Sequence, residues 1–381
     1  MKLVELGTIL HMDKGKKPQK QQEKYKEGYL PYVDIQAFEE GIIKSYADPQ
    51  KCLLCEDGDL LIVCDGSRSG LTGRAIKGVV GSTLSKISAD GLCTEYLQYF
   101  IQSKYTLLNT RKKGTGTPHL NAELLKKSKL VIPTQTEQER IVSKIEELFS
   151  KLDASVAELK TAKEKLKVYR QAVLKEAFDA VSESPRAKIQ HICEYIIDCP
   201  HSTPKWTNAG KICLRTTNFK RGYLDLREKN YVSEETFNAR NSRLIPASGD
   251  VLYSREGAIL GIACIIPAGL SVCLGQRMML LRTNEENFNR FLMHYLNSPA
   301  VTNYVASITG GSASPHVNVR DITNFLIPVP KLDVQKRTVL KIEERISICD
   351  DSERSIDTAI QQAEALRQSI LKQAFEGRLI E

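Results

Sequence analysis

The chain has 381 residues, of which 41% are hydrophobic. A chain of this length and composition can bury more than one core, which excludes a disordered protein and favours two or more domains. Lysine and arginine (54) outnumber aspartate and glutamate (46), and the resulting formal charge of +8 is compatible with a polyanionic partner without requiring one.

The N-terminus lacks an apolar signal segment, so we expect a cytoplasmic protein whose ten cysteines stay reduced. The uncharged stretch 258–275 approaches the length of a membrane span, but Pro267 and several glycines interrupt it. Two buried strands joined by a turn at Pro267-Ala268-Gly269 explain this stretch better. The sequence therefore predicts no membrane association.

The second half of the chain repeats the first at a spacing of about 195 residues, which indicates duplicated units. The matched pairs, in chain order, are Gly58-Asp59 with Gly249-Asp250, Gly66 with Gly257, Gly70 with Gly261, Pro118-His119-Leu120-Asn121 with Pro315-His316-Val317-Asn318, Ile132-Pro133 with Ile327-Pro328, and Gln138 with Gln335. Four segments follow from this repeat. They are a globular unit over 1–133, a helical block over 134–184, a second globular unit over 185–330 and a second helical block over 331–381.

Each globular unit contains short apolar runs punctuated by glycine, aspartate, asparagine and proline, which is typical of a strand-rich domain. Short helices are expected over 92–107 and 286–296, just before the histidine-containing repeat. An α+β fold fits these patterns better than a β-sandwich.

In the helical blocks, apolar residues recur at steps of three and four, which predicts one apolar seam along each helix. The seam residues are Ile141, Ile145, Leu148, Leu152, Leu159, Leu166, Tyr169 and Val173 in the first block, and Ile342, Ile346, Ile356, Leu366 and Ile370 in the second. Roughly forty helical residues at about 1.5 Å each make a rod of ~60 Å, too long to lie across one small domain.

Each seam is the obvious partner for the other, which gives an intramolecular coiled coil. Chain order makes the pairing antiparallel and pseudo-two-fold, with one globular unit near each end. The predicted fold is therefore two similar mixed α/β domains separated by two long antiparallel helices. A helical bundle, or the coiled coil of a homodimer, is the alternative.

Polar loops in both units are candidates for DNA contact, because lysine and arginine neutralise phosphates and polar side chains read base edges. In unit one the candidates are Lys14, Lys16, Lys17, Lys20, Arg68, Arg74, Arg111, Lys112, Lys113, Thr115, Thr117, His119 and Asn121. In unit two they are His201, Ser202, Thr203, Lys205, Arg215, Arg255, Ser312, Ser314, His316 and Asn318. Solvated loops, and histidines kept for packing, are the alternative interpretation.

The chain carries no phosphate-binding loop with its lysine and no Asn/Asp-Pro-Pro-Tyr/Phe box of the amino-methyltransferases. Cys52 and Cys55 have the spacing of half a zinc site, but a structural zinc site needs four ligands and no second Cys-x-x-Cys exists. We therefore predict no catalytic residue and no bound metal.

Three motifs follow one another from the end of the first globular unit into the first helical block: Ile132-Pro133, then Glu137-Gln138-Glu139-Arg140-Ile141, then Arg170-Gln171-Ala172-Val173-Leu174-Lys175-Glu176-Ala177-Phe178. With these motifs the chain resembles the specificity subunits of type I restriction-modification enzymes. The second copy includes Ile327-Pro328 and Arg367-Gln368-Ser369-Ile370-Leu371-Lys372-Gln373-Ala374-Phe375, and departs from the pattern at Val334, where the family has glutamate. Asp198-Cys199-Pro200-His201 carries cysteine where the family more often has glycine.

The resemblance implies a non-catalytic subunit whose two recognition domains bind the halves of a bipartite site in double-stranded DNA. It also implies that the helices measure the unspecified spacer and that two modification subunits dock on this chain. Those partners would bind S-adenosylmethionine and methylate adenine, this chain would bind no cofactor, and a motor and nuclease subunit can join the complex. A coiled-coil scaffold that binds proteins without DNA specificity, and an enzyme using Cys52 and Cys55, are the rival hypotheses.

Overall fold

The structure, a computed structural model, describes residues 2–113, 118–257, 259–310 and 315–379. It divides into two compact units. Unit 1 comprises Met1–Leu159 together with Asp357–Glu381, and unit 2 comprises Lys160–Ile356. The boundaries cut through both long helices, so each unit contains the beginning of one long helix and the end of the other.

Unit 1 is a mixed α/β unit of short elements. Its strands are β1 (Lys2–Glu5), β2 (Leu10–Lys14), β3 (Gln21–Gln22), β4 (Leu30–Val33), β5 (Tyr46–Ala47), β6 (Leu54–Cys55), β7 (Leu60–Val63), β8 (Thr72–Arg74), β9 (Gly78–Val80), β10 (Leu84–Ala89) and β11 (Lys129–Ile132). Its short helices are α1 (Ile35–Glu40), α2 (Thr94–Ser103), α3 (Tyr105–Thr110) and α4 (Ala122–Lys126), with a 3-10 turn at Leu6–Thr8. The first long helix, α5 (Gln135–Asp179), starts here.

Unit 2 has corresponding elements. Its strands are β12 (Arg186–Lys188), β13 (Cys193–Asp198), β14 (Trp206–Thr207), β15 (Lys211–Leu214), β16 (Phe219–Lys220), β17 (Tyr223–Leu224), β18 (Tyr231–Val232), β19 (Val251–Ser254), β20 (Ala263–Ile265), β21 (Val272–Leu274), β22 (Met278–Thr283) and β23 (Leu326–Pro328). Its short helices are α6 (Ile189–Ile192), α7 (Glu234–Arg240), α8 (Asn289–Leu296), α9 (Pro299–Thr309) and α10 (Val319–Thr323), with a 3-10 turn at Thr216–Asn218. The second long helix is α11 (Leu332–Phe375).

The two units share their sheet topology. The order β2-β10-β7-β8 in unit 1 is matched by β13-β22-β19-β20 in unit 2, and both sheets are antiparallel. Each unit also has a parallel pair, β4 with β9 and β15 with β21, and a two-stranded ladder, β1 with β11 and β12 with β23, while unit 2 has a further two-stranded sheet of β16 and β17. In the predicted two-strand stretch, residues 263–265 form β20 and residues 272–274 form β21, on either side of the predicted turn. The predicted α+β architecture with two similar units is confirmed.

Central strands are apolar at successive positions because both of their faces are covered. The strand β7 reads Leu-Leu-Ile-Val, and all four side chains are buried. The repeated Gly-Asp pair comes just before β7 and β19 and anchors the turn there. Asp59 accepts from the Glu56 N–H and pairs with Lys86 at 2.5 Å, while Asp250 accepts from the Ala247 N–H and pairs with Arg282 at 2.7 Å.

Within unit 1 the start of α5 packs antiparallel against the end of α11. Ile145 and Phe149 contact Ile370, Leu371 and Ala374 in one buried cluster. Phe375 then places its ring against Tyr96 and Phe100 of α2, with ring centroids 5.1 and 5.3 Å apart. Arg367 pairs with Asp153 and lies 4.4 Å from the centre of the Phe149 ring.

Within unit 2 the end of α5 packs antiparallel against the start of α11, with Leu174 and Phe178 in the same buried cluster as Ile342. Phe178 contacts Phe291 and Tyr295 of α8 at ring-centroid distances of 5.2 and 5.0 Å. This contact repeats that of Phe375 in unit 1. Arg170 reaches across the pair to Asp350 and Glu353, at 2.6 and 2.8 Å.

A buried glutamine holds the first turn of each long helix to its own unit. The Gln138 side chain accepts from the Cys93 N–H and donates to the carbonyls of Gly91 and Pro133. Gln335 repeats this arrangement, accepting from the Phe288 N–H and donating to the Pro330 carbonyl. Both side chains are almost fully buried, which is compatible with a polar group only when it is hydrogen-bonded.

Two predicted seam residues need correction. Tyr169 and Leu366 are 43% and 49% exposed, although the periodicity places them in the seam. The neighbouring arginines Arg170 and Arg367 fold across the helix pair at these places, and the Tyr169 hydroxyl accepts instead from Arg345. The other predicted seam residues are buried or half-buried: Ile141, Ile145, Leu148, Leu152, Leu159, Leu166, Val173, Ile342, Ile346, Ile356 and Ile370.

Among the described residues, no helix is both long enough and apolar enough to cross a bilayer.

Candidate nucleic-acid interface

Backbone hydrogen bonds connect three loops of unit 1: the glycine turn 64–70, the connector 81–83 between β9 and β10, and the histidine loop 118–121. The loop 15–20 after β2 begins beside the connector, because the Gly15 N–H donates to the Leu84 carbonyl at 2.9 Å and Gly15 lies against Gly81. The Gly66 N–H donates to the Pro118 carbonyl at 2.8 Å, and the Leu120 N–H donates to that of Cys64 at 2.7 Å. The Cys64 N–H donates to the Thr83 carbonyl at 2.8 Å. These four loops are called the loop surface of unit 1.

Unit 2 builds the same surface from residues 199–205, the glycine turn at 255–257 and 259–261, the connector 275–277 and the histidine loop 315–318. The Cys199 N–H donates to the Met278 carbonyl at 3.2 Å, as Gly15 does to Leu84 in unit 1. The Gly257 N–H donates to the Pro315 carbonyl at 3.0 Å, and the Val317 N–H donates to that of Arg255 at 2.9 Å. The Arg255 N–H donates to the Arg277 carbonyl at 3.0 Å. The repeated motifs thus share a backbone scaffold, and different side chains stand on it.

The centre of the unit 1 surface is a carboxylate with two basic partners. Asp65 pairs with Lys14 at 2.8 Å and with His119 at 2.7 Å. Burial favours the protonated form of Asp65, but the hydrogen bonds from Lys14 and His119 outweigh it and keep the pKa of that carboxyl below its usual value. Asp65 therefore fixes the position of two predicted DNA-contacting side chains.

Replacing Asp65 with asparagine is expected to lower stability at neutral pH by about 1 kcal/mol, since both partners are half exposed to solvent. A lowered pKa in the folded state contributes stability above the unfolded value, near pH 4, and loses it as the pH falls through the folded value. The difference between wild type and Asp65→Asn should therefore shrink below about pH 4 in urea unfolding curves. Asp90→Asn, which removes the exposed His11–Asp90 pair, is the matched control. A pH-independent difference would contradict the assignment.

In unit 2 the corresponding centre is an arginine with two acidic partners. Arg255 is only 5% exposed and pairs with Asp198 at 2.9 Å and Glu256 at 2.7 Å, and Asp198 also contacts His201 at 3.1 Å. A buried arginine with two carboxylate partners holds the loops in place. Arg255 is therefore the least accessible of the described candidates in unit 2.

Several other predicted residues of unit 1 also hold loops in place. Arg74 pairs with Glu95 at 2.7 Å and donates to the Gly58 carbonyl, and Asn121 caps α4 through the Leu124 N–H. Arg68 pairs with Glu39, and Lys113 pairs with Glu123. Of these, Arg74 and Asn121 are the least available to a ligand.

The remaining basic residues predicted to contact DNA in unit 1 lie on its surface. Lys16, Lys17 and Lys20 are exposed in the loop after β2, and Arg111 is exposed after α3. Lys112 donates to the Ser67 carbonyl at 2.6 Å, which ties the segment before the histidine loop to the glycine turn. The predicted contacts Thr115 and Thr117, and Ser312 and Ser314 in unit 2, lie outside the described residues.

Two of the unit 2 candidates line a small polar cavity of about 210 Å³. Thr203 and Arg215 line it, and the Arg215 guanidinium lies 5.8 Å from the centre of the Trp206 ring. Ser202 and Lys205 are exposed in the same loop. His316 is exposed on the histidine loop, and the Asn318 amide donates to Asp321.

Sequence reasoning missed the other five lining residues of this cavity, which are Pro204, Trp206, Thr216, Gln276 and Arg277. The two connector residues are absent from the repeated motifs because the repeats diverge there. A lone exposed tryptophan, 42% accessible, is the signal that could have identified Trp206.

The thiols of Cys52 and Cys55 offer no reactive pair. Cys55 is buried, and burial raises the pKa of its thiol to about 11. Burial also raises the pKa of Cys52, whose thiol donates to the Asp48 carbonyl. Reactive and metal-binding cysteines require the thiolate. Within the described ranges, no group of histidine, cysteine or acidic side chains is arranged to hold a metal ion.

The family model for the type I restriction modification DNA specificity domain matches residues 1–165 and 189–362. The chain is 23% identical to the MjaVIII type I restriction enzyme specificity subunit of Methanocaldococcus jannaschii, over 99% of this chain and 92% of that protein. It is 22% identical to the EcoBI specificity subunit of Escherichia coli, over 84% of this chain and 73% of that protein.

Two solved structures share the fold over nearly the whole chain. One belongs to a study of complex assembly in a type I R-M system, with a TM-score of 0.72, 20% identity, and coverage of 99% of this chain and 98% of that chain. The other is the HsdS subunit from Thermoanaerobacter tengcongensis, with a TM-score of 0.52, 20% identity, and coverage of 99% and 97%.

Proposed function

The chain belongs to the type I restriction modification DNA specificity family, and we propose that units 1 and 2 each read one half of a split DNA target. The observation that carries this proposal is the repeated loop surface. Two units with one strand order present the same four loops, yet the side chains on those loops differ. A shared scaffold with different side chains is what two readers of different half-sites require.

We further propose that the chain contributes no catalytic group and that two modification subunits dock on it to methylate adenine. S-adenosylmethionine would then bind to those partners. The buried thiol of Cys55, whose pKa burial raises to about 11, argues against the rival enzyme that would use Cys52 and Cys55. A motor and nuclease subunit would complete the restriction-competent complex.

Sequencing the methylated bases in a host that expresses this chain with its modification partner tests the proposal. We expect methylated adenines within a motif of two defined halves separated by unspecified bases. An unmethylated genome, despite a partner that is active with another specificity subunit, would overturn the proposal. A continuous motif without a gap would contradict the assignment of one half-site to each unit.

The affinity of the purified complex for its duplex target is expected to fall steeply with added salt. Bound lysines and arginines displace counterions from the phosphates, so six to ten such contacts would cost roughly 10³–10⁵ in affinity between 50 and 200 mM salt. Fluorescence anisotropy with a labelled duplex gives this slope. A Lys16→Ala/Lys17→Ala variant should show a shallower slope, whereas an unchanged slope would remove the 15–20 loop from the phosphate contacts.

A further inference from the structure

The cavity of about 210 Å³ on the loop surface of unit 2 has the chemistry of a base-reading site. Its lining includes Thr203, Trp206, Arg215, Gln276 and Arg277. Within the described part of the chain no acidic side chain lines it, so it suits an electronegative ligand. Trp206 supplies an aromatic wall and Arg215 adds positive charge beside it, at 5.8 Å from the ring centre.

The backbone at Arg277 is held on both sides by the core. The Gly275 N–H donates to the Leu214 carbonyl at 2.9 Å, and a Cβ on Gly275 would lie 2.2 Å from that oxygen, so only glycine allows this approach. The Arg277 carbonyl accepts from the Arg255 N–H at 3.0 Å. The side chain of Arg277 is therefore presented from a fixed point.

Arg277 adopts a left-handed backbone conformation, with a φ of 66°. This region is unfavourable for residues with a Cβ and, outside glycine, is concentrated at functional sites. The side chain is exposed, and it forms no ion pair or hydrogen bond with any of residues 2–113, 118–257, 259–310 or 315–379. Its guanidinium lies beside Gly257 of the glycine turn. No polar contact of the Arg277 side chain with the described residues offsets the conformational cost.

Unit 1 has different side chains at the same place. Its connector begins with Gly81, whose N–H donates to the Val33 carbonyl at 2.9 Å, as Gly275 does to Leu214. The next two residues are Ser82 and Thr83, where unit 2 has Gln276 and Arg277. The connector is therefore a position where the scaffold is kept and the reading side chain changes.

We propose that Arg277 reads a guanine in the half-site bound by unit 2, an inference that rests on the proposed function. The guanidinium offers two parallel donors that match the O6 and N7 acceptors of guanine in the major groove. Gln276 donates to the His201 carbonyl and accepts from the Thr203 hydroxyl, so it positions the adjacent loop. Trp206 and Arg215 border the site with an apolar ring and a positive charge.

The test is to sequence the methylated bases in a host that expresses the Arg277→Gly variant with the modification partner, and to compare the methylation motif with that of the wild type. Glycine adopts a φ of 66° without steric cost, so this variant should melt at the wild-type temperature or above. We expect one G·C position in one half-site to become degenerate, with a roughly 10- to 100-fold loss of discrimination there and no change in the other half-site. Arg277→Lys, which keeps the charge but loses the two-donor geometry, should behave similarly.

Arg227→Ala is the matched control, because Arg227 is an exposed arginine of unit 2 that pairs with Asp225 away from the cavity, and its motif should match the wild type. An unchanged motif in Arg277→Gly would overturn the inference, as would degeneracy at an A·T position. Uniformly weaker methylation with the motif intact would also overturn it, because that is the signature of a phosphate contact. An unmethylated genome with the wild-type chain would overturn the proposed function as well.

Discussion

Replacing Phe178 with alanine is expected to lower the free energy of unfolding of unit 2 by about 3–5 kcal/mol. The ring is buried and makes edge-to-face contacts with Phe291 and Tyr295, so its removal leaves a cavity where the end of α5 meets α8. The equivalent change Phe375→Ala should destabilise unit 1 by less, about 2 kcal/mol, because Phe375 is only half-buried.

Chemical denaturation measures the two losses, and hydrogen exchange locates them. In Phe178→Ala the amides of α8 should exchange faster while those of α2 keep their protection. In Phe375→Ala the pattern should reverse. The exposed Val168→Ala is the control on the same helix and should change neither. Faster exchange in α2 and α8 alike after a single substitution would show that the two units do not hold their helix ends independently.

Deleting one heptad from each long helix, residues 153–159 and 350–356, is expected to shorten the gap between the half-sites by up to about three base pairs. Seven helical residues span ~10.5 Å, and base pairs are stacked about 3.4 Å apart. A whole heptad preserves the phase of both apolar seams. The deletion removes Asp153, Asp350 and Glu353 from part-exposed ion pairs, each worth at most about 1 kcal/mol.

The motif made by the double deletion should contain both original half-sites with fewer unspecified bases between them. A deletion of the same heptad from α5 alone is the control, and it should abolish methylation because the two helices then differ in length. Recognition of new bases by the double deletion would show that the helices contribute to reading as well as to spacing.

The strength of the sequence signal decided which features could be predicted. The long helices follow from uninterrupted steps of three and four, and the strand pair within 258–275 follows from an apolar run broken by one turn. The prediction for Tyr169 and Leu366 was wrong because periodicity locates the apolar face of a helix but does not show which adjacent side chains extend across the helix pair and replace a seam residue there. Here Arg170 and Arg367 extend over the helix pair toward acidic residues, and this depends on the partner helix.

The loop surface was predicted in part. The histidine and glycine motifs were found because they repeat, and the structure does bring them together. Arg255 was predicted to contact DNA because it is a basic residue beside the repeated glycine turn, yet it is buried and paired with Asp198 and Glu256. Arg277 could not be found, since its left-handed backbone and its place in the cavity exist only in three dimensions. Gln138 and Gln335 were noticed as repeats, but their role as buried clamps required the structure.

Unit 1 is built from two segments that lie far apart in the chain, and this affects how it folds during synthesis. Its core includes Ile370, Leu371 and Ala374, which the ribosome adds only after the whole of unit 2. At a translation rate of ~5–20 residues per second, the hydrophobic surface of the N-terminal segment stays exposed for roughly 10–40 s before the end of α11 is synthesised and can pack against it. Translation speed and chaperone supply should therefore affect the correct folding of unit 1 more than that of unit 2, which is one contiguous segment of the chain.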